Sequence, residues 1–185
     1  MESQLASQPF QFKLLAHPPD QLLVEHLLSV ANSCECLCQS KKLSLAQELL
    51  SVLPDVCYIV GGLHDIGKAT EYFQDYIQAS EEARRHFTNN PKRNHSALSA
   101  LFVYHFVKKV IVNQNCESYL SKMLPVLAYL AVKKHHSNLF NRSIEEETYG
   151  IKDLEEVIRE QIASMRKVQT EVEEILQELL GNRRN

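Results

Sequence analysis

One segment constrains this chain more than any other. Asp55 to Ala69, DVCYIVGGLHDIGKA, is apolar almost all round and then sets a histidine beside an aspartate. A helix without a polar face belongs in the middle of a protein. Gly61 and Gly62 cost helix stability there, yet they let another helix or a metal site approach closely. His64 and Asp65 fall at the C-terminal end of that helix. Burying a carboxylate is expensive unless a cation or a hydrogen-bond network compensates it. A bridging metal ion is one such compensation.

The rest of the chain reads as helices laid around this one. Five glycines and six prolines are few for 185 residues, and the runs rich in Leu, Glu, Gln, Lys and Ala favour a mostly helical protein. The length suffices for a single domain over residues 1–185 with a substantial core. Pro18-Pro19-Asp20 reads as a helix start with Asp20 as N-cap, followed by the helical period of QLLVEHLLSVANS. Ser44 to Leu53 predicts a second helix, and Pro54-Asp55 the start of the buried third, which Gly67 ends. Thr70 can cap a short amphipathic helix, TEYFQDYIQA. Residues 81–93 are polar and read as a loop over the site. Asn94 can cap the next helix, HSALSALFVYHFVKKVIV. SYLSKMLPVLAYLAVKKHH predicts another, with Pro125 either a kink or its true start. Ile144 to Leu180 is charged and helical in period, as one long helix or two, stopped by Gly181.

Charge and targeting signals exclude several classes. The net charge of -3 announces no strongly basic nucleic-acid field, although bound metal cations add local positive charge that this count omits. Apolar stretches such as Leu120 to His135 are broken by charge before they reach spanning length, so no membrane partner is expected. The start, MESQLASQPFQFK, lacks the pattern of a signal peptide, which makes a cytoplasmic location the expectation. Of five cysteines, Cys34, Cys36 and Cys38 sit at alternate positions. That spacing suits neither a zinc knuckle nor a disulfide framework, so reduced thiols are expected.

Histidine carries the chemical signal. Besides His64, His26 lies on the first helix, His95 at the start of the fifth, and His135-His136 at the end of the sixth. One histidine at a helix end is ordinarily a cap or a surface residue. A buried His-Asp pair with histidines at three other helix ends or faces points to a shared site. Imidazole with carboxylate suits first-row divalent ions better than magnesium alone. A structural zinc would ordinarily use closely spaced Cys and His pairs. His105 lies ten residues past His95, about 280° around an ideal helix, and points elsewhere. His86, in the polar loop, reads as a surface residue within reach of substrate, and His17, before two prolines, as a surface residue that could line the rim. Lys68 follows the pair by three residues. It either binds a phosphate oxygen and offsets transition-state charge, or is a solvated helix C-terminal cation. Tyr72, Phe73 and Tyr76 offer faces for base stacking, though their periodicity also suits the core.

An adjacent His-Asp pair resembles the signature of the HD phosphohydrolase superfamily. The longer string GGLHDIGKATEYFQDYI resembles the HD nuclease domain of the CRISPR-associated helicase-nuclease of type I systems. LLVEHLLSVA matches that family's first histidine at His26, RNHSALSA its middle motif at His95, and LAVKKHHSN its paired motif at His135-His136. In the last, Ser137 stands where glycine is common. The matched stretches run from about Leu14 to Asn138. The resemblance implies an all-α, compact HD helical bundle with the metal site between its central helices. It implies one or two divalent transition-metal ions, with manganese, nickel, cobalt and iron as candidates beside magnesium. Asp65 would bridge two ions, His26 and His64 would hold one, and His95, His135 and His136 the other. The implied substrate is single-stranded DNA, delivered by a separate or fused helicase and a CRISPR targeting complex.

One position departs from that pattern. Many relatives bring a late aspartate to the first metal, whereas Asp153, in IKDLEEV, is the only aspartate after Asp75. Asp153, a glutamate or water would then fill the place, or the chain lacks that helix. The expected chemistry is metal-assisted phosphodiester hydrolysis. Its rivals are a nucleotide or cyclic-nucleotide phosphohydrolase with the same site, and an HD scaffold module with weak metal binding.

Overall fold

The computed structural model describes residues 10–85, 90–116, 118–136 and 151–181. Apart from one small ribbon, the regular structure among these residues is helical: α1 (Leu23–Ser40), α2 (Gln47–Leu63), α3 (Glu71–Gln78), α4 (Glu81–Arg84), α5 (Ser96–Asn113), α6 (Tyr119–Lys134), α7 (Ile151–Met165) and α8 (Gln169–Leu180). Short 3₁₀ turns cover Ile66–Ala69, Pro91–Arg93 and Arg166–Val168. Helices α1 and α2 form one packed pair, α5 and α6 a second, and α2 lies between α1 and the α5–α6 pair. Helix α8 returns against α1, while α7 packs on α3 and α5.

The apolar segment behaves as its composition requires. Val52, Val56, Ile59 and Leu63 of α2 are buried, together with Leu23 and Leu27 of α1, Leu98 and Val103 of α5, and Ile175 and Leu179 of α8. By length and composition Gln47–Ala69 could cross a membrane, but more than half of it is buried inside the protein, the setting of a core helix. A Cβ at Gly61 would lie 2.7 Å from the Val30 carbonyl oxygen and 3.0 Å from Ala31 Cα. Only glycine lets α1 and α2 cross this closely.

Several boundaries differ from the sequence expectation. Pro54 does not begin a helix; α2 runs through it. The missing backbone donor costs about 3 kcal/mol in an isolated helix, and here the buried face continues unbroken from Leu49 and Val52 to Val56. Pro125 likewise lies within α6, where it is buried. Asp20 is not an N-cap. Leu15–His17 (β1) and Gln21–Leu22 (β2) pair antiparallel, Leu15 opposite Leu22 and His17 opposite Gln21, so Pro18, Pro19 and Asp20 form the turn between them. The α1 N-cap is Leu22, without a side-chain bond. Residues 81–93 contain α4, capped by Ser80, and the Pro91–Arg93 turn, capped by Asn90. The charged C-terminal stretch forms two helices, α7 and α8, and its expected first residues, from 144, lie outside the described part. Asn94 is not the N-cap of α5: His95 is, without a side-chain bond, and the Asn94 side-chain oxygen accepts from the Ser96 N–H at 3.2 Å from one residue further out. All five cysteines are free thiols, Cys116 buried and Cys36 exposed.

Candidate metal centre

The centre is built from helix ends. Helix α2 ends at Leu63, so His64 and Asp65 lead directly into the Ile66–Ala69 turn. In a 3₁₀ turn residues i and i+3 eclipse, which stacks Lys68 over Asp65, Nζ to Oδ2 2.8 Å. A Cβ at Gly67 would lie 2.6 Å from the His95 carbonyl oxygen. Its absence lets this turn touch the residue that opens α5. The Gly67 N–H donates to Ser99 Oγ at 2.9 Å and completes that contact.

Histidine ring nitrogens then converge on the one carboxylate. His26 Nε2 and His64 Nε2 lie 3.1 and 3.3 Å from Asp65 Oδ2. His95, His135 and His136 Nε2 lie 2.9, 3.1 and 3.9 Å from Oδ1. The structure therefore brings together all six residues expected as ligands, and sorts the histidines into two sets, one for each oxygen. Asp65 is 2 % exposed, whereas the His136 side chain is 59 % exposed, so the centre opens to solvent on the Oδ1 side.

The tautomers test whether metal fits. His64 Nδ1–H donates to the Gly61 carbonyl at 2.7 Å, and His135 Nδ1–H to the Val132 carbonyl at 2.5 Å. Both carbonyls lie in the last turn of their helix, and the Val132 oxygen also accepts the His135 backbone N–H at 3.4 Å. A neutral imidazole pinned in this way presents an Nε2 lone pair to Asp65. Facing lone pairs about 3 Å apart repel unless a proton or a cation lies between them. Separations near 3 Å are also those of adjacent donors around one ion at roughly 2.1 Å from each. Anchoring of the second ring nitrogen is the usual companion of metal-ligating histidine. The donor set fits a divalent transition ion.

Without an ion, a proton is the alternative cation between these atoms, and the charges of the metal-free centre reflect it. Burial alone pushes the Asp65 carboxyl up, but hydrogen bonds with His135, His26, His64 and His95 outweigh it and hold the group well below the usual carboxylate range. Burial lowers His95 despite the opposing pull of Asp65. Burial, then the proximity of His135 and His95, pulls His136 down to about 4. His135 is raised: burial works against its charge, and the bonds to Asp65 and the Val132 carbonyl prevail.

Other expected residues divide clearly. Lys68 is 3 % exposed and is no solvated helix-end cation. His105 is exposed on α5 against Phe106, away from the centre. His86 and Ser137 lie outside the described residues. Phe73 is buried with its ring 5.1 Å from that of His95, so it packs under the site. Tyr72 and Tyr76 are half-buried, with Lys92 over one ring and Arg93, at 4.2 Å, over the other. Asp153 is exposed in the first turn of α7 and belongs to neither group of converging ligand atoms.

Sequence reading left out the residues that hold the N-terminal ribbon against the site. Gln74 accepts from the Leu15 N–H and donates to the Leu15 carbonyl, at 3.1 and 2.9 Å. Glu171 accepts from the Lys13 and Leu14 N–H groups at 2.6 and 2.7 Å. These bonds carry His17 from the rim to the centre, where its ring lies 5.0 Å from that of His26. Burial, and then the Lys68 charge, hold His17 below its ordinary pKa.

An all-α protein with a helix-terminal His-Asp pair, ringed by histidines from other helix ends, has the architecture of a metal-binding HD domain. The family model described as "Cas3, HD domain" matches residues 16–185, and the chain belongs to that family, the HD domain of the CRISPR helicase-nuclease. The match runs beyond the sequence motifs through α7 and α8. Comparisons with curated proteins and with solved structures give no match. Membership of the family makes the domain a metal-dependent nuclease of CRISPR defence.

Proposed function

We propose that this chain, acting as one domain, hydrolyses phosphodiester bonds of single-stranded DNA at the Asp65 centre. One observation carries the reading: Nε2 atoms from histidines on separate segments converge on both oxygens of a single buried carboxylate. Asp65 would bridge two ions, with His26 and His64 on one side and His95, His135 and His136 on the other. Manganese, nickel, cobalt and iron suit this imidazole-rich set better than magnesium does. When bound, such ions polarise phosphoryl oxygens and make water acidic enough to ionise near neutral pH.

The protein's own groups do the positioning. The Gly61 and Val132 carbonyls fix the His64 and His135 rings, so both keep Nε2 toward the reacting side. Lys68 adds a positive charge near Asp65 that can offset charge developing on a phosphate. The opening at His136 favours an extended strand over a small enclosed ligand. Arg93, two residues before His95 and stacked on Tyr76, offers a cationic and aromatic rim of the kind that holds single strands. A helicase and a CRISPR targeting complex would supply that strand.

The test uses the chelator-stripped full chain with manganese, nickel, cobalt or magnesium, offered single-stranded DNA, double-stranded DNA and cyclic nucleotides. Metal-dependent cleavage of the single strand, abolished by Asp65→Ala, is expected. Hydrolysis of cyclic nucleotides with all DNA left intact would overturn the substrate.

A further inference from the structure

The two sides of Asp65 are not supplied alike. The Oδ1 side has three histidines, His95, His135 and His136. The Oδ2 side has two, His26 and His64. With the carboxylate oxygen that makes three donors, one short of the four that a tetrahedral ion takes from its surroundings. The charged C-terminal helices do not complete it with their described carboxylates nearest in role: Asp153 is exposed, and Glu171 is engaged by the Lys13 and Leu14 amides.

A different side chain does reach the place. Ligand atoms of His17, His26 and Asp65 all lie within 4.8 Å of one another. His17 ends β1, and the strand does not reach the centre by chance. Leu15 is clamped on both its N–H and its carbonyl by Gln74, the Leu14 carbonyl accepts from the Leu23 N–H at 2.7 Å, and the Ala16 carbonyl accepts from Lys68 at 3.3 Å. The space between them already holds a cation. Lys68 Nζ lies 3.5 Å from His17 Nε2 and 2.8 Å from Asp65 Oδ2. A lysine on a flexible four-carbon stem can yield that space.

Building on the two-ion reading above, we infer that His17 is the fourth protein ligand of the Oδ2-side ion. The ribbon formed by β1 and β2 is then part of the metal centre, and its register decides whether the second ion binds. Divalent transition ions that accept several imidazoles fit this side best.

The test is a cobalt titration of the chelator-stripped full chain, followed by visible absorption, with bound cobalt counted by elemental analysis. Wild type should take up two equivalents. His17→Ala and His17→Gln should each weaken one equivalent by about tenfold or more and leave the other unchanged. The thermal midpoint of the stripped protein should not move, since His17 is exposed. Two equivalents with unaltered affinities in both variants would overturn the assignment while leaving the two-ion reading intact. A single equivalent in wild type, unaffected by either substitution, would also overturn it and leave Lys68 as the permanent cation of that side. No cobalt bound by wild type would remove the two-ion reading and this inference together.

Discussion

The two oxygens of Asp65 face different worlds. Oδ2 looks toward His26, His64 and a buried ammonium, under a ribbon clamped by Gln74 and Glu171. Oδ1 looks toward histidines whose outermost member is mostly in solvent. Without metal, the Oδ2 side carries a balancing charge from the chain itself. The Oδ1 side is ringed by imidazoles and has no such charge until an ion binds. In the metal-free protein the carboxylate is thus balanced by the chain on one side only, and perturbations on the two sides should read differently.

The largest effect on stability is expected from Lys68→Met. It leaves the Asp65 carboxylate buried without its ammonium, and loss of one partner of a buried pair costs about 3–5 kcal/mol. Urea unfolding should show that loss in the stripped protein and a smaller one with saturating manganese, because the ion then supplies the charge. Equal losses in both states would break the distinction between the sides. Next comes Gly67→Ala. Its methyl group would meet the His95 carbonyl, an overpacking that costs about 1–3 kcal/mol. It should also weaken metal on the Oδ1 side, read as a lower manganese affinity by calorimetry with His26 and His64 untouched. The smallest effect concerns Glu160, which anchors the turn before His95 through Lys92. The ion pair with Lys92 holds the Glu160 carboxyl below its ordinary range, helped by the Tyr72 hydroxyl. A depressed folded pKa contributes stability above the unfolded value and loses it as pH falls through the folded one. Glu160→Gln should therefore lower stability slightly at neutral pH and leave the acid end nearly unchanged, so that the acid limb of the stability curve flattens, as thermal melts across pH would show.

The sequence carried the helical periods and the histidine positions well, because both are local. The apolar run ending in His64-Asp65 could only be a core helix, and Ser96–Asn113 and the paired histidines follow from periodicity and spacing. What it could not carry were bonds between distant positions. The β1–β2 ribbon is held by Gln74 and by Glu171, 59 and 157 residues from their partners Leu15 and Leu14, and nothing near Pro18-Pro19 announces them. Pro54 looked like a boundary because its local cost is real; burial on both sides of it decides otherwise. Lys68 had two readings of equal standing until the 3₁₀ turn set it over Asp65. His17 reached the centre only with the ribbon.

The central claim is that Asp65 organises a metal centre from these helix ends. The most direct measurement is the nickel retained after exhaustive dialysis by wild type and by Asp65→Asn, counted by elemental analysis on folded protein. Asn keeps the size of the side chain and removes the charge that both ions would share. Wild type should retain nickel and the variant should lose nearly all of it. Equal nickel in the two proteins, or none in wild type, would contradict the account.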